Sequence, residues 1–160
     1  MTVGLQPMSI VVAAMSARDE ADWLSMRQAL WPGASAADHR AEMKELTART
    51  EFAAFMARDG AGAALGFAEL YVRPFANGCT ARPVPFLEGI WVASEARGRG
   101  VGRALLVAVE NWCRSRGFAE LGSDTLIDNT ASHRAHSAWG FAETERVVYF
   151  RKPLPSLEAA

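Results

Sequence analysis

The alternation of apolar and polar residues along the chain predicts a mixed α/β domain with a single core. Short apolar runs rich in β-branched residues indicate strands, and apolar residues three and four positions apart indicate helices. The clearest helix covers about residues 100–116 and repeats its apolar residues on one face: Val101, Leu105, Ala108 and Trp112. The predicted order is βααβββαβαβ, with strands near residues 9–15, 51–58, 65–72, 85–92, 118–123 and 141–152 and helices near 19–30, 38–48, 100–116 and 129–138.

Length and composition favour one globular domain over residues 9–152. The chain has 160 residues, of which 50% are hydrophobic, enough for one core that buries roughly 70% of the unfolded surface. No repeat or linker divides the chain. Residues 1–8 carry no pattern and are expected to be an N-terminal extension, and residues 153–160 a C-terminal tail.

Charge and cysteine content exclude several classes of partner. The net charge of −1 gives no general attraction to nucleic acid or to an acidic membrane. No apolar run reaches membrane length, and the short run at residues 10–15 lacks the basic leader of a signal peptide. Cys79 and Cys113 lie far apart, which argues against a metal ribbon or a disulfide scaffold. We therefore expect a cytoplasmic protein.

The run Arg97-Gly98-Arg99-Gly100-Val101-Gly102 joins a predicted strand to the 100–116 helix. Its glycines allow positive φ and close approach of the backbone to a ligand, and a helix start offers unpaired N–H groups with partial positive charge. The run therefore predicts a cradle for an anion, most simply a pyrophosphate. A Walker loop is excluded because no Lys-Ser or Lys-Thr occurs, and a dinucleotide fingerprint because Arg103 stands where its third glycine would be.

What remains, Arg-x-x-Gly-x-Gly at positions 97–102, resembles the acetyl-CoA loop of the GCN5-related N-acetyltransferase (GNAT) family. The predicted element order is also the order of that family. The alternative for the loop alone is a glycine-rich turn that starts a helix. The resemblance implies a mixed central sheet whose middle strands splay apart, with acetyl-CoA in the gap and its pyrophosphate on the amides of the loop.

A second set of motifs resembles the bacterial aminoglycoside 6′-N-acetyltransferases of this family, over about residues 9–152. The resemblance implies transfer of acetyl from acetyl-CoA to the 6′-amino group of an aminoglycoside, by direct attack in a ternary complex, which inactivates the antibiotic. It also implies a homodimer formed through the last strand. The motifs are Leu30-Trp31-Pro32-Gly33, Asn77-Gly78-Cys79, Phe86-Leu87-Glu88-Gly89-Ile90, Ser123-Asp124-Thr125, Asn129-Thr130 and residues 140–147.

Two carboxylates, Glu88 and Asp124, are the candidate catalytic residues. Glu88 lies on the strand that leads into the loop, and Asp124 ends the strand after the loop's helix. In the fold that the resemblance implies, both strands border the gap, so the two side chains are expected to face one amine. A carboxylate binds an ammonium group and accepts its proton, directly or through a water. The alternative for each residue is a surface or salt-bridge carboxylate.

The resemblance also implies the remaining site residues. For acetyl-CoA it implies backbone contacts from Ile90, Trp91 and Val92 to the thioester oxygen, pyrophosphate contacts from Gly98, Arg99, Gly100, Val101, Gly102 and Arg103, and a contact from Asn129, whose alternative is N-capping. For the aminoglycoside it implies Trp31, Phe75 and Glu145 beside Glu88 and Asp124. Phe75 lacks the hydroxyl that relatives carry there; the alternatives are helix-end packing for Trp31 and pairing with Arg146 or Arg151 for Glu145.

Several points stay open at this level. The acid that protonates the CoA thiolate is unassigned, because neither Tyr71 nor Tyr149 falls securely on the position that a tyrosine often holds in acetyltransferases. His133 and His136 have the spacing of two metal ligands, but no third ligand is evident, so no metal is expected. The alternative functions are acetylation of another amine, such as a polyamine or a protein N-terminus, and non-catalytic binding of CoA or the drug.

Overall fold

The computed structural model describes residues 9–156, which form one five-stranded mixed sheet flanked by helices. The predicted order of elements is confirmed from the first strand to the last helix. A 3₁₀ turn, Ala17–Asp19, precedes α1, and a second, Ser94–Ala96, follows β4. The elements are β1 Ile10–Ala14, α1 Glu20–Leu30, α2 Ala36–Thr47, β2 Phe52–Asp59, β3 Ala64–Arg73, β4 Val84–Val92, α3 Val101–Ser115, β5 Gly122–Ser123 and α4 Thr130–Ala138.

The strands lie in the sheet in the order in which they occur in the chain. β1 to β4 pair antiparallel, and β4 and β5 pair parallel. The parallel pairing is short, because it joins only Phe86 to Gly122 and Leu87 to Ser123. Beyond Leu87, β4 continues for five residues with β3 as its only partner among the described strands. The sheet therefore forks at Leu87 and Ser123, as expected for splayed middle strands.

Two apolar clusters fill opposite faces of the sheet. Alternate residues of β2 belong to different clusters, since Phe55 and Ala57 pack with α3 while Ala54 and Met56 pack with α1 and α2. Leu105 and Val109 of α3 are fully buried against the first face. Helix α3 is thereby fixed across the sheet, which places its N-terminus and the preceding loop at the end of β4.

A buried ion pair lies in the second cluster. Arg27 of α1 and Glu69 of β3 are 2% and 3% exposed, and the guanidinium donates to the carboxylate. Trp23 Nε1 donates to the other oxygen of Glu69 at 3.0 Å, and Arg27 also pairs with Glu42 of α2. Burial raises the pKa of Glu69 above its ordinary value, although Arg27 and Trp23 both oppose this rise. The network ties both helices to the centre of the sheet.

The predicted last strand is wrong for the single chain. Residues 141–156 have no regular secondary structure in this structure, and Val147, Val148, Tyr149 and Phe150 are between 48% and 93% exposed. An alternating sequence becomes a strand only when a partner supplies hydrogen bonds, and no described strand does so here. The strand predicted at 118–123 is likewise reduced to Gly122–Ser123. The N-terminal extension and residues 157–160 of the predicted tail lie outside the described residues.

Among residues 9–156, no helix combines the length and the apolar character needed to cross a bilayer.

The buried ion pair gives a stability prediction. Glu69→Gln leaves the Arg27 guanidinium buried without its main counter-ion, so we expect the free energy of unfolding to fall by about 3–5 kcal/mol. The matched control is Glu45→Gln, which removes an exposed pair with Arg49 and is expected to cost at most about 1 kcal/mol. Urea unfolding of both variants measures the difference, and equal losses would contradict the structural role of the buried pair.

Candidate functional site

Glu88 occupies an irregular position in the sheet. In the pairing of β3 with β4, Glu69 lies opposite Gly89 and Leu70 lies opposite Leu87, so Glu88 has no opposite residue and forms a β-bulge. A bulge bends the strand and redirects a side chain. The bulge falls directly after the fork, so β4 both loses its β5 partner and changes direction at Glu88.

The carboxylate of Glu88 is held by Arg73, a residue that the sequence did not single out. Arg73 Nε and Nη2 donate to the two oxygens of Glu88 at 2.8 and 2.6 Å, and the guanidinium lies over the ring of Phe86 at 3.7 Å. The pKa of Arg73 is raised by its hydrogen bond to Glu88 and further by the charges of Glu88, Asp124 and Tyr149. The charges of Glu88 and Asp124 therefore both act on the Arg73 guanidinium.

A cavity of about 610 Å³ lies beside Glu88, between α1, α2 and the sheet. Its wall includes the predicted substrate residue Trp31, and its charged lining is mainly acidic. Gly89 makes this wall possible, because a Cβ at that position would lie 2.5 Å from the Trp31 ring. The charged side chains around the cavity are Glu42, Glu45, Glu69 and Glu88, with Arg27 and Arg49 opposing them.

Trp31 is fixed from several sides. Its ring packs on the guanidinium of Arg27 at 4.8 Å and meets Phe67 edge-on, and its backbone oxygen lies 3.1 Å from His39 Nε2. Both interpretations of Trp31 therefore hold, since the residue packs at the end of α1 and also lines the cavity.

The glycine loop has the geometry of an anion cradle. Gly98 and Gly100 have φ of +69° and +87°, and Gly100 is the N-cap of α3. Within the described residues, no backbone acceptor pairs with the amides of residues 98–103, and the first bond of the helix is from Ala104 to Gly100. These free amides at a helix N-terminus suit a phosphate group. Gly102 packs on Trp139, where a Cβ would lie 2.7 Å from the ring, so α4 closes the side of the loop.

Residues 88–92 offer backbone groups to the gap. Because β4 has a partner on one side only beyond the fork, alternate amides of this stretch point away from β3. Ile90, Trp91 and Val92 lie here, half-buried at the open edge. The amides that point away from β3 are available as hydrogen-bond donors at this edge.

Helix α4 borders the gap from the other side. The side chain of Asn129 accepts from the Ser132 amide at 3.1 Å, so Asn129 caps α4, and its side-chain NH₂ remains a possible donor to a ligand. His136, on the same helix, joins its Nε2 to Ser123 Oγ at 2.8 Å and its Nδ1 to the backbone oxygen of Ser132, also at 2.8 Å. In the described part of the chain, no group of three or more His, Cys, Asp or Glu side chains is placed to hold a metal ion.

Two predicted substrate residues lie away from the cavity. Phe75 is 60% exposed, with Arg82 at 5.9 Å from its ring, and does not line the cavity wall. Glu145 lies in the extended C-terminal segment, where its predicted partner Arg146 pairs with Glu143 instead. Of the predicted substrate residues, Trp31 and Glu88 line the cavity, whereas Phe75 and Glu145 do not. Asp124 lies directly after β5, and its charge helps to raise the pKa of Arg73.

Sequence reasoning missed four side chains of the site: Arg73, Arg27, Ser123 and His136. Arg73 is the last residue of β3 and belongs to no motif. Its pairing with Glu88 depends on the β3–β4 register. Ser123 was noted only as part of Ser-Asp-Thr, and His136 only for its spacing from His133. A signal existed for one of them, since a polar Arg27 at a core-facing position of α1 requires a buried partner.

Comparison with known proteins agrees with this geometry. The profile of the acetyltransferase (GNAT) family matches residues 23–141. The chain is 51% identical to an aminoglycoside N(6′)-acetyltransferase type 1 of Serratia marcescens, over 82% of this chain and 91% of the relative. It is 45% identical to the enzyme of the same name from Klebsiella aerogenes, over 91% of this chain and 98% of the relative.

Solved structures give the same result. The structure of AAC(6′)-Iy in complex with the bisubstrate analogue CoA-S-monomethyl-acetylneamine superimposes with a TM-score of 0.86 at 39% identity, and covers 91% of this chain and 99% of its own. The aminoglycoside 6′-N-acetyltransferase AAC(6′)-Ih of Acinetobacter baumannii gives 0.86 at 36% identity, over 92% of this chain and 100% of its own. The forked sheet, the loop and these relatives together establish that the chain belongs to the GNAT acetyltransferase family, as an acyltransferase of the aminoglycoside 6′-N-acetyltransferase group.

Proposed function

We propose that this enzyme transfers the acetyl group of acetyl-CoA to the 6′-amino group of an aminoglycoside, by direct attack of the amine in a ternary complex. The observation that carries the proposal is the position of the acidic cavity beside Glu88, at the fork where β4 loses its β5 partner. The loop and the cavity lie on opposite sides of this point, so donor and acceptor can meet there without a covalent acetyl-enzyme.

The charge of the cavity suits a polycation. Four glutamates face two arginines across a volume of about 610 Å³, which is large enough for a small-molecule substrate. One of these two arginines, Arg27, already forms the buried ion pair with Glu69. Glu42, Glu45 and Glu88 lie nearer to solvent, where an ammonium group of the substrate can share or replace their present partners, Arg27, Arg49 and Arg73.

Deprotonation of the amine is assigned to the carboxylates. An alkylammonium cannot attack a thioester until it loses a proton, and a carboxylate or a water held by it provides general-base catalysis. Glu88 is fixed by the bulge and by Arg73, and Asp124 lies on the other arm of the fork, directly after β5. We infer that the substrate ammonium enters between them and takes over part of the charge pairing that Arg73 now provides.

The acetyl donor is held by the gap between β4 and α4. The free amides of residues 98–103, including Arg99, Val101 and Arg103, bind the pyrophosphate. The open edge of β4 stabilises the negative charge on the thioester oxygen through those amides of residues 90–92 that point away from β3. Asn129 offers its NH₂ group to the CoA arm. Because acetyl-CoA is a metabolite of the cell interior, we place the enzyme in the cytoplasm. Acetylation removes a positive charge from the drug, which weakens its binding to the ribosome and confers antibiotic resistance.

The activity is tested by following release of CoA with kanamycin or tobramycin as acceptor. We expect turnover, with acetyl on the 6′-nitrogen by mass and NMR analysis of the product. A peptide amine or a polyamine is the comparison acceptor. If only that acceptor is acetylated, the substrate is that amine and not an aminoglycoside. Tight binding of drug and CoA without any product would identify a binding protein.

The assignment of the amine site predicts the effect of removing its charges. Glu88→Gln and Asp124→Asn are each expected to lower kcat/KM for the aminoglycoside by about 100-fold or more, because both ammonium binding and proton transfer are lost. Binding of CoA, measured by calorimetry, is expected to stay within about twofold because the loop is untouched. The control Glu110→Gln changes an exposed carboxylate paired with Arg114 on α3. Full activity in both site variants would contradict the assignment.

We also propose that the enzyme is a homodimer in which the C-terminal segment pairs with a second copy. Residues 147–150 alternate apolar side chains that are exposed in the single chain, while the outer edge of β5 has no partner among the described strands. The exposed apolar segment of one copy can therefore pair with the exposed edge of β5 in the other copy. Pairing of this kind would place Glu145 in a strand, as the sequence predicts for residues 141–152.

The dimer is tested by sedimentation of the wild type and of a double variant, Val148→Lys with Phe150→Lys. We expect the wild type at twice the chain mass of 17.3 kDa and the variant at the mass of one chain, because two lysines oppose burial of the segment. The control is Val11→Lys, at an exposed apolar residue of β1. A wild type that sediments as a single chain at micromolar concentration would refute the dimer.

A further inference from the structure

We propose that Ser123 and His136 form a proton relay that protonates the departing CoA thiolate, with Ser123 as the donor and His136 as its proton supply. The inference rests on the proposed acetyl transfer and names an acid for it, which the sequence left unassigned. It starts from a hydrogen bond between two half-buried side chains, Ser123 Oγ to His136 Nε2 at 2.8 Å.

The position of Ser123 is the first argument. Ser123 is the last residue of β5 that pairs with β4, and its hydroxyl lies 3.4 Å from the Leu87 oxygen, directly before Glu88. It therefore stands at the apex of the fork. From the loop after β4 the open edge runs back to this apex along residues 88–92, a length of about 13 Å at 3.3 Å per residue. When the pyrophosphate of acetyl-CoA is anchored at the loop, its pantetheine arm can lie along this edge. The sulfur at the end of that arm is then directed at the apex.

The hydrogen bonds of His136 are the second argument. Nδ1 lies 2.8 Å from the backbone oxygen of Ser132, which can only accept, so Nδ1 carries a hydrogen in every protonation state. The other nitrogen faces a hydroxyl, which can donate or accept. A neutral His136 accepts at Nε2 from Ser123, and a charged His136 donates to the same oxygen. The ring thus keeps both contacts in both states, which a relay requires.

The packing of the ring is the third argument. Trp139 and Phe141 lie 5.8 and 5.1 Å from the His136 ring, centroid to centroid, and fix its plane. Ser132 Oγ, at 3.2 Å from Nδ1, adds a second contact on the same side. The charged and titratable groups on the surrounding elements are His133 and Arg134 on α4, Arg103 on α3, Asp124 after β5, and the Glu88–Arg73 pair on the facing strands.

The amine nitrogen, which has lost one proton from its ammonium form, forms its bond to the carbonyl carbon, the carbon–sulfur bond breaks, and the electron pair leaves on sulfur. The Ser123 hydroxyl gives its proton to the thiolate, and the proton on His136 Nε2 moves to Ser123 Oγ. The nitrogen loses a second proton as the amide forms, and the carboxylates pass both of its protons to water. The imidazole, neutral after its transfer, recovers one proton from water, so one proton is released in total.

The test uses variants that separate the relay from the packing. His136→Gln keeps an NH₂ group able to bond Ser123 but cannot supply a proton, and Ser123→Ala removes the donor. We expect single-turnover rates to fall about 10- to 100-fold in both, with acetyl-CoA affinity within about twofold. The control Ser137→Ala removes an exposed hydroxyl of the same helix and is expected to retain the wild-type rate.

The pH dependence provides a readout that packing alone would not change. A relay acid must be protonated, so the wild-type rate should decline at high pH, and this decline should disappear in His136→Gln. Rates and pH profiles equal to the wild type in His136→Gln and Ser123→Ala would overturn the relay while leaving the acetyl transfer intact. Absence of wild-type turnover with any amine would instead refute the proposed function, and the relay with it.

The position of the hydrogen on the His136 ring can also be tested in the absence of acetyl-CoA. In the ligand-free protein, nitrogen NMR of labelled histidine should show neutral His136 with its hydrogen on Nδ1. A hydrogen on Nε2 in the neutral form would overturn the proposal, because the ring that has given its Nε2 proton to Ser123 must keep its remaining hydrogen on Nδ1.

Discussion

The backbone hydrogen bonds between β4 and β5 end after two residue pairs. The positions of the bulge, the glycine loop and the cavity are all defined relative to this end of the pairing. A strand with one neighbour must satisfy half of its polar groups elsewhere, so β4 beyond Leu87 presents amides to whatever enters the gap. The bulge at Glu88 falls at the same point and turns the strand as it leaves its partner. The glycine loop lies at the far end of the opened stretch, and the acidic cavity lies at the near end. Donor loop, backbone donors and carboxylate are thus arranged along a single strand.

Two ion pairs of different burial serve different purposes in this arrangement. Arg27 and Glu69 are almost fully buried, and breaking such a pair leaves a charge without compensation in the core, so the pair behaves as part of the framework. Arg73 and Glu88 are 36% and 28% exposed, so this pair keeps contact with water, while the two hydrogen bonds from Arg73 fix the orientation of the Glu88 carboxylate. Glu88 is therefore held in place and is still accessible from solvent.

The wall between these two pairs depends on close packing. Trp31 lies over Arg27 on one side and over Gly89 on the other, so the framework pair and the bulged strand share one aromatic ring. A side chain at position 89 would push that ring into the cavity. The shape of the cavity is therefore set by the same residues that hold α1 against the sheet, which links the acceptor side of the site to the stability of the fold.

The sequence by itself determined the local features of this protein: the order of elements from β1 to α4, the glycine loop at the start of α3, and the positions of Glu88 on β4 and of Asp124 directly after β5. These follow from short-range periodicity, turn chemistry and helix capping, which neighbouring residues fix. Only the tertiary structure decided the pairing of Arg73 with Glu88, of Arg27 with Glu69, and of Ser123 with His136, because those contacts depend on register, on a bulge and on helix packing between residues 13 to 42 positions apart. The last strand shows the same division, since residues 141–152 carry a strand pattern but find no edge within their own chain to pair with.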